Sequence, residues 1–164
     1  MKLILATDEN WAIGKGGNLL CHIPGDLKFF KEKTLDKTVV MGRATLESLP
    51  GKKALPKRNN IVLTTNRDYT VEGATVVHSA EELAKELEKY NTDDVYIIGG
   101  EKVYKDYLPL CDTCYITKIF KSFDADRFFV NMDEMKELEI TWKSDIQEEN
   151  GIKYQFTEYK RKKI

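Results

Sequence analysis

The chain has no apolar run long enough to cross a membrane and no excess of charge of one sign: 26 basic and 27 acidic residues leave a formal net charge of -1. The first absence excludes a helical membrane span. The second, with Lys and Arg dispersed along the chain, gives no footprint for a nucleic-acid partner. Histidine is scarce: only His22 and His78 occur, and they fit no triad or metal-ligand spacing. Both read as structural or surface residues, and no metal is expected. Cysteine is scarce too, at three residues. An odd count with no export signal points to a reducing, cytoplasmic compartment. The opening Leu3-Ile4-Leu5-Ala6 is too short for a signal peptide, and Asp8-Glu9 follows at once. Cys111 and Cys114 form a C-x-x-C with no second pair and no nearby histidine. Ordinary part-buried thiols are expected there.

What is present suits one soluble globular domain over residues 1–164, with 41% hydrophobic and 32% charged side chains. Strand and helix patterns alternate. Strands are expected at Lys2 to Ala6, Thr38 to Met41, Asn60 to Thr64, Ala74 to Val77, Val95 to Ile98 and Thr113 to Ile119. Helices are expected at Asp26 to Thr34 (with Pro24 as a start signal), Ala44 to Leu49, Ser79 to about Tyr90 and Glu101 to Leu108. Ser79 with Glu82 reads as a capping box, and Glu9 to Leu20 as a glycine-rich loop. Near the end, Ile140 and Trp142 alternate with polar residues, as do Ile152, Tyr154 and Phe156, around hairpin-turn chemistry at Glu149-Asn150-Gly151. The fold class is therefore α/β: a mainly parallel central sheet with helices on both faces and a C-terminal antiparallel hairpin.

Three features carry chemistry. Asp26 falls in a first helical turn, and helical spacing sets it beside Phe29 and Phe30. A carboxylate among aromatic rings can hydrogen-bond and charge-pair with a cationic heterocycle; the plainer reading is a residue complementing the helix dipole. Second, Val39-Val40-Met41-Gly42-Arg43 and Ile97-Ile98-Gly99-Gly100-Glu101 both run from an apolar strand through glycine into a helix. Such junctions open on one sheet edge and suit a dinucleotide. Neither matches G-x-G-x-x-G. Arg43 with the hydroxyls of Thr64 and Thr65 suits an extra phosphate, favouring NADPH over NADH. Third, Arg58 offers a two-pronged clamp for a carboxylate, although on residue logic alone a solvated loop charge is the simpler reading.

Taken together and in order, these segments resemble dihydrofolate reductase. The resemblance runs through Ala6 to Ile13-Gly14, Ile23-Pro24-Gly25-Asp26-Leu27-Lys28-Phe29-Phe30, Val40-Met41-Gly42-Arg43-x-Thr45-x-Glu47-Ser48, Leu55-Pro56-x-Arg58-x-Asn60, Ile97-Ile98-Gly99-Gly100-x-x-Val103-Tyr104 and Tyr115-Ile116-Thr117-x-Ile119. It implies reduction of 7,8-dihydrofolate to tetrahydrofolate by a monomer, with hydride passing from NADPH to pterin C6 and a proton reaching N5 through water. By resemblance, Asp26 is the pocket carboxylate, with the Thr117 hydroxyl as a second contact. Ile4 and Leu5 lie beneath the pterin, while Leu27, Phe30, Leu49 and Leu55 line the channel. Arg58 takes the α-carboxylate of the glutamate tail. The implied NADPH set is Ala6, Ile13, Gly14, Gly42, Arg43, Ala44, Thr45, Leu63, Thr64, Thr65, His78, Ile98, Gly99, Gly100, Glu101, Lys102, Val103 and Tyr104. The Gly99-Gly100 bond is cis in that family, and the loop from Asn10 to Pro24 is its lid.

The chain departs from the family pattern in places. Cys21 stands where tryptophan is usual, and Leu19-Leu20 where a Met or Leu and a Pro are usual. A thiol cannot replace an indole in volume or hydrogen bonding, so altered ligand affinity and proton supply are expected. Ala125 to Val130 keeps an aspartate but lacks the usual Thr and Pro of the loop that braces the lid. Two alternatives remain open: a reductase of a riboflavin-pathway pyrimidine, and a non-catalytic folate- or nucleotide-binding module.

Overall fold

A computed structural model of the protein describes residues 1–17, 20 and 22–162. Its strands are β1 (Lys2–Thr7), β2 (Ala12–Gly14), β3 (Thr38–Gly42), β4 (Asn59–Leu63), β5 (Ala74–Val77), β6 (Val95–Gly99), β7 (Thr113–Ile119), β8 (Arg127–Phe128), β9 (Leu138–Lys143), β10 (Gln147–Glu149) and β11 (Ile152–Arg161). Its helices are α1 (Pro24–Thr34), α2 (Arg43–Ser48), α3 (Ala80–Leu87) and α4 (Glu101–Tyr107). Among the described residues nine strands form one sheet in the order β10-β11-β7-β1-β6-β3-β4-β5, with β9 also beside β11. The pairings from β7 through β5 are parallel, and those made by β11 are antiparallel. The α/β class with a mainly parallel sheet is thus observed.

The two-residue period of the strands sorts the core into two layers. Leu3, Leu5, Val40, Ile61 and Ile97 face one side with Leu83 of α3 and Val103 and Tyr104 of α4. Ile4, Val39, Met41, Val62, Tyr96 and Ile98 face the other with Leu46 of α2, against which Phe29 and Phe30 of α1 pack. Helices therefore cover both faces. Cys111 and Cys114 are buried free thiols, and burial pushes the Cys111 thiol up to about 12. They behave as core residues.

Several expectations need correction. The strand of Ile140 and Trp142 is not the partner across the Asn150-Gly151 turn. Asn150 and Gly151 have φ of 52° and 79°, values that suit a two-residue hairpin turn. Such a tight turn pairs its immediate flanks, so β10 lies against Ile152 to Tyr154. The strand β9 pairs with the later half of β11, Thr157 to Arg161, across an irregularity between Glu158 and Tyr159. The glycine-rich segment is not wholly loop: Ala12–Gly14 pairs with Arg127–Phe128 in a separate two-stranded sheet. Helix α2 starts at Arg43 and ends at Ser48; Leu49 is extended, as the residue before a proline prefers. Helix α3 ends at Leu87, after which Lys89 and Tyr90 donate three residues back in tighter turns. At its start Ser79 Oγ accepts from Glu82 N–H at 3.1 Å, but the Glu82 carboxylate reaches His78 N–H at 2.5 Å instead of that of Ser79.

Candidate active site

Pro24, which lacks an N–H, opens α1, and the Asp26 and Leu27 N–H groups both donate to the Ile23 carbonyl. That places Asp26 in the first turn with its side chain toward the sheet. Thr117, buried on β7, donates its hydroxyl to Asp26 Oδ1 at 2.6 Å. Burial raises the Asp26 carboxyl above the usual carboxylate range, and the Thr117 hydrogen bond partly opposes this. Thr117 is the parallel-register partner of Ala6 on β1, so the carboxylate sits over the carboxyl end of the central strands. Tyr104 donates to the Ile4 carbonyl at 2.8 Å. Burial, and then the charge of Asp26, push its phenol well up, so it stays neutral.

An apolar wall flanks this pair. Ile4 is buried, and Phe30, Leu49 and Leu55 pack half-buried on the same layer. Phe29 stacks on Phe156 at 4.1 Å between ring centroids. Leu27, by contrast, is 45% exposed and presents its apolar surface to solvent. The buried Asn60 amide staples the neighbouring loop: it accepts from Leu55 N–H at 2.9 Å and donates to the Leu55 and Arg58 carbonyls at 2.9 and 3.1 Å. Arg58 is thereby half-buried, its Nε donating to Thr34 Oγ1 at 3.2 Å and its Nη1 to the Pro56 carbonyl at 3.0 Å. The simpler reading of Arg58 as a freely solvated loop charge does not fit this anchoring. Burial lowers its pKa, opposed by Asp36.

Beside Asp26 lies a groove of about 170 Å³ lined by Leu5, Ala6, Ile13, Gly14, Gly17, Ala44, Thr45, Ser48, Ile98, Gly99, Gly100, Glu101, Tyr104 and Arg127. Ten of the eighteen residues in the NADPH set therefore meet along one wall system. Gly99 has φ of 129°, and a Cβ there would lie 3.2 Å from Thr45 Oγ1 and 3.3 Å from Tyr104 Cε2. Only glycine meets both demands. The Gly99-Gly100 peptide is cis. Gly42, Arg43, Leu63, Thr64, Thr65 and His78 lie further along the same edge, where Gly42 is in register with Leu63 and Leu63 with Val77. His78 Nδ1 is 2.9 Å from the Thr64 carbonyl, and Thr65 is exposed. The Arg43 Nε donates to Glu47 at 2.8 Å while its guanidinium lies over the Tyr69 ring at 4.7 Å. Lys102 points to solvent and pairs with Asp106 at 2.9 Å, and Val103 is buried against Gly42. Neither lines the groove.

The segment after β1 is tied down from two sides. The buried Asp8 carboxylate accepts from the N–H groups of Asn10, Ala12 and Phe123 at 2.8–2.9 Å. Asp126 accepts from Gly16 N–H at 3.1 Å and donates its own N–H to the Gly14 carbonyl at 3.1 Å; Lys15 pairs with Asp124. The Ala125 to Val130 loop, without the family's usual Thr and Pro, thus meets this segment through the Asp126 carboxylate and main chain. Cys21 and Leu19 lie outside the described residues; His22 is exposed. Sequence reasoning missed Arg127, and it gave no role to Asn60 and Ser48, which it met only as motif residues. A basic residue directly after a glycine-pairing aspartate carries no motif, and the β2–β8 pairing brings Arg127 to the groove. Its guanidinium has no carboxylate partner among the described residues, only the Asp126 carbonyl at 3.4 Å. No cluster of potential metal ligands occurs among the described residues.

A family model described as dihydrofolate reductase matches residues 1–161. The dihydrofolate reductase of Bacillus subtilis is 36% identical over 163 residues, covering 99% of this chain and 95% of that protein. That of Enterococcus faecium is 39% identical over 158 residues, covering 94% and 88%. A solved structure of dihydrofolate reductase from Enterococcus faecalis, complexed with NADP(H) and RAB-propyl, superposes with a TM-score of 0.88 at 40% identity, covering 99% of this chain and 96% of that one.

Proposed function

This chain belongs to the dihydrofolate reductase family, and from that premise we propose that it reduces 7,8-dihydrofolate to tetrahydrofolate with NADPH as a monomeric single domain over residues 1–164. The observation that carries this reading is the Asp26–Thr117 pair, 2.6 Å apart and half-buried, at the end of a glycine-lined groove. A dinucleotide suits the groove, because glycines line it and Arg127, another of its lining residues, has no carboxylate partner among the described residues. Ala6, Ile13, Ala44, Thr45, Gly99 and Gly100 would hold the cofactor, with Arg43, Thr64 and Thr65 further along for an extra phosphate and His78 beside them for the adenine end. Bound NADPH supplies the hydride that the pterin accepts at C6.

The chain's own residues supply position and field. Asp26 holds the amino-pyrimidine edge of the pterin and polarises the ring toward protonation, with Thr117 fixing the carboxylate by donating to Oδ1. Asp26 stands on the far edge of the ring from N5, so the proton reaches N5 through water. The segment from Asn10 to Pro24, rooted on Asp8 and braced by Asp126, controls that water. Phe30, Leu49 and Leu55 enclose the ring system, and Arg58, anchored by Nε and Nη1, presents its remaining nitrogen to the glutamate tail. The same reading places the protein in the cytoplasm: its two described cysteines are free, and its dispersed charge offers no nucleic-acid surface. A single assay tests it, following NADPH loss near ~340 nm with dihydrofolate, folate or the riboflavin-pathway pyrimidine. Turnover of dihydrofolate alone, or of dihydrofolate far faster than folate, supports the reading; turnover of the pyrimidine, or of nothing, contradicts it.

A further inference from the structure

Helix α1 has no side-chain cap of its own. Its N-cap, Ile23, has no polar side chain, Pro24 has no N–H, and the Asp26 and Leu27 N–H groups are taken by the Ile23 carbonyl. One donor of the first turn remains, Gly25 N–H, and it is satisfied from the far end of the chain: Glu149 Oε1 accepts it at 2.8 Å. The same Oε1 accepts the Tyr154 hydroxyl at 2.5 Å. Glu149 is the last residue of β10, next to the tight Asn150-Gly151 turn, and its register partner is Ile152. Tyr154 is buried in a cluster with Ile23, Ile119 and Phe156. A second, steric observation agrees. A Cβ on residue 25 would collide with both Glu149 Oε1 and the Tyr154 hydroxyl, so the helix start approaches the hairpin as closely as glycine allows.

We infer that Glu149, held by Tyr154, is a positioning residue for the reaction: it clamps the first turn of α1 and so holds Asp26 against Thr117. This rests on the reading of Asp26 as the pocket carboxylate. The logic is one of over-determination. Asp26 follows Gly25 directly, so displacing the Gly25 peptide moves the carboxylate. The other end of the constraint, Thr117, is paired in register with Phe156, two residues beyond Tyr154 on β11. Both grips on the acid thus hang from one strand, and the hairpin turn sets the register of one of them. Among the described residues the phenols of Tyr104 from α4 and Tyr154 from β11 feel the Asp26 charge; burial chiefly, and for Tyr154 also the Glu149 hydrogen bond, raises both, so they stay neutral. Glu149 reaches the same turn from β10.

The test uses the full chain with NADPH and dihydrofolate, reading single-turnover hydride transfer against pH, NADPH affinity and melting temperature. Glu149→Ala and Gly25→Ala are expected to slow hydride transfer roughly tenfold, the order expected for a small misplacement remote from the chemistry. They also let water reach Asp26, so the Asp26-dependent part of the pH profile moves to lower pH by roughly half a unit or more. NADPH affinity stays within about twofold, because the clamp does not touch the groove. Glu149→Gln, which keeps an acceptor oxygen, restores most of the rate, and Tyr154→Phe gives a milder defect of the same kind should the alanine variant fold poorly. In an Asp26→Asn background, Glu149→Ala adds no further slowing. An unchanged pH profile, or an equal penalty in both backgrounds, overturns the clamp while leaving Asp26 in its role. An Asp26→Asn rate equal to the parent's overturns the reading of Asp26 itself, and the clamp's role with it.

Discussion

At the scale of one residue, the role proposed for Asp26 sets function against stability. Burial raises its folded-state pKa above that of the unfolded chain. A group shifted that way favours folding fully below the unfolded-state pKa, and the contribution is lost as pH rises through the folded-state value. Above that folded-state value the ionised, half-buried carboxylate therefore opposes folding. Asp26→Asn is expected to melt higher than the parent at neutral pH, with the difference fading in acid; thermal melts across pH check this. A variant that melts lower at neutral pH contradicts the burial argument. In the proposed reading the arginines divide the ligands between them. Arg58→Leu is expected to raise the dihydrofolate KM roughly tenfold or more, while a pterin lacking the glutamate tail is indifferent. Arg43→Ala is expected to weaken NADPH by roughly tenfold or more and NADH little, since only NADPH carries the extra phosphate. Additive penalties for mutation and tail truncation, or equal losses for both cofactors, remove those assignments.

Elements show where a sequence is readable and where it is not. The start of α1 is legible because Pro24 is a local signal, and β3 and β6 are legible because buried parallel strands read as apolar runs. Two-residue β8 has no period to detect, so its pairing with β2, and with it Arg127, stays hidden until the chain is folded. The hairpin is legible at Asn150-Gly151, but which strand it pairs is not: β9 is mostly exposed and its alternation carries little burial information. Glu149 is hidden for a related reason, since it caps a helix 124 residues away. The glycine junction after β6 is testable by itself. Gly99→Ala demands a positive φ and sets a Cβ against Thr45 and Tyr104. It is expected to cost about 1–3 kcal/mol of stability and to weaken NADPH binding. Denaturant unfolding and cofactor titration check both, and wild-type values in either contradict the assignment of that junction.

Over the whole molecule, the parallel strands bring glycine junctions, Thr117 and the lid root to one edge, and antiparallel β11 locks that edge by pairing β7 along Tyr154 to Lys160. A site assembled from so many segments exists only in the folded chain, so its ligands stabilise the fold. NADPH at a hundredfold over its Kd is expected to raise the melting temperature by about 5–10 °C. The central claim is that Asp26 polarises bound dihydrofolate for hydride from NADPH, and single-turnover hydride transfer by the parent and Asp26→Asn, at neutral pH and below, tests it most directly. The account predicts a loss on the order of a hundredfold at neutral pH, partly recovered as falling pH protonates substrate from solution. A neutral-pH rate within about twofold of the parent's, or a loss that pH does not change, would contradict it.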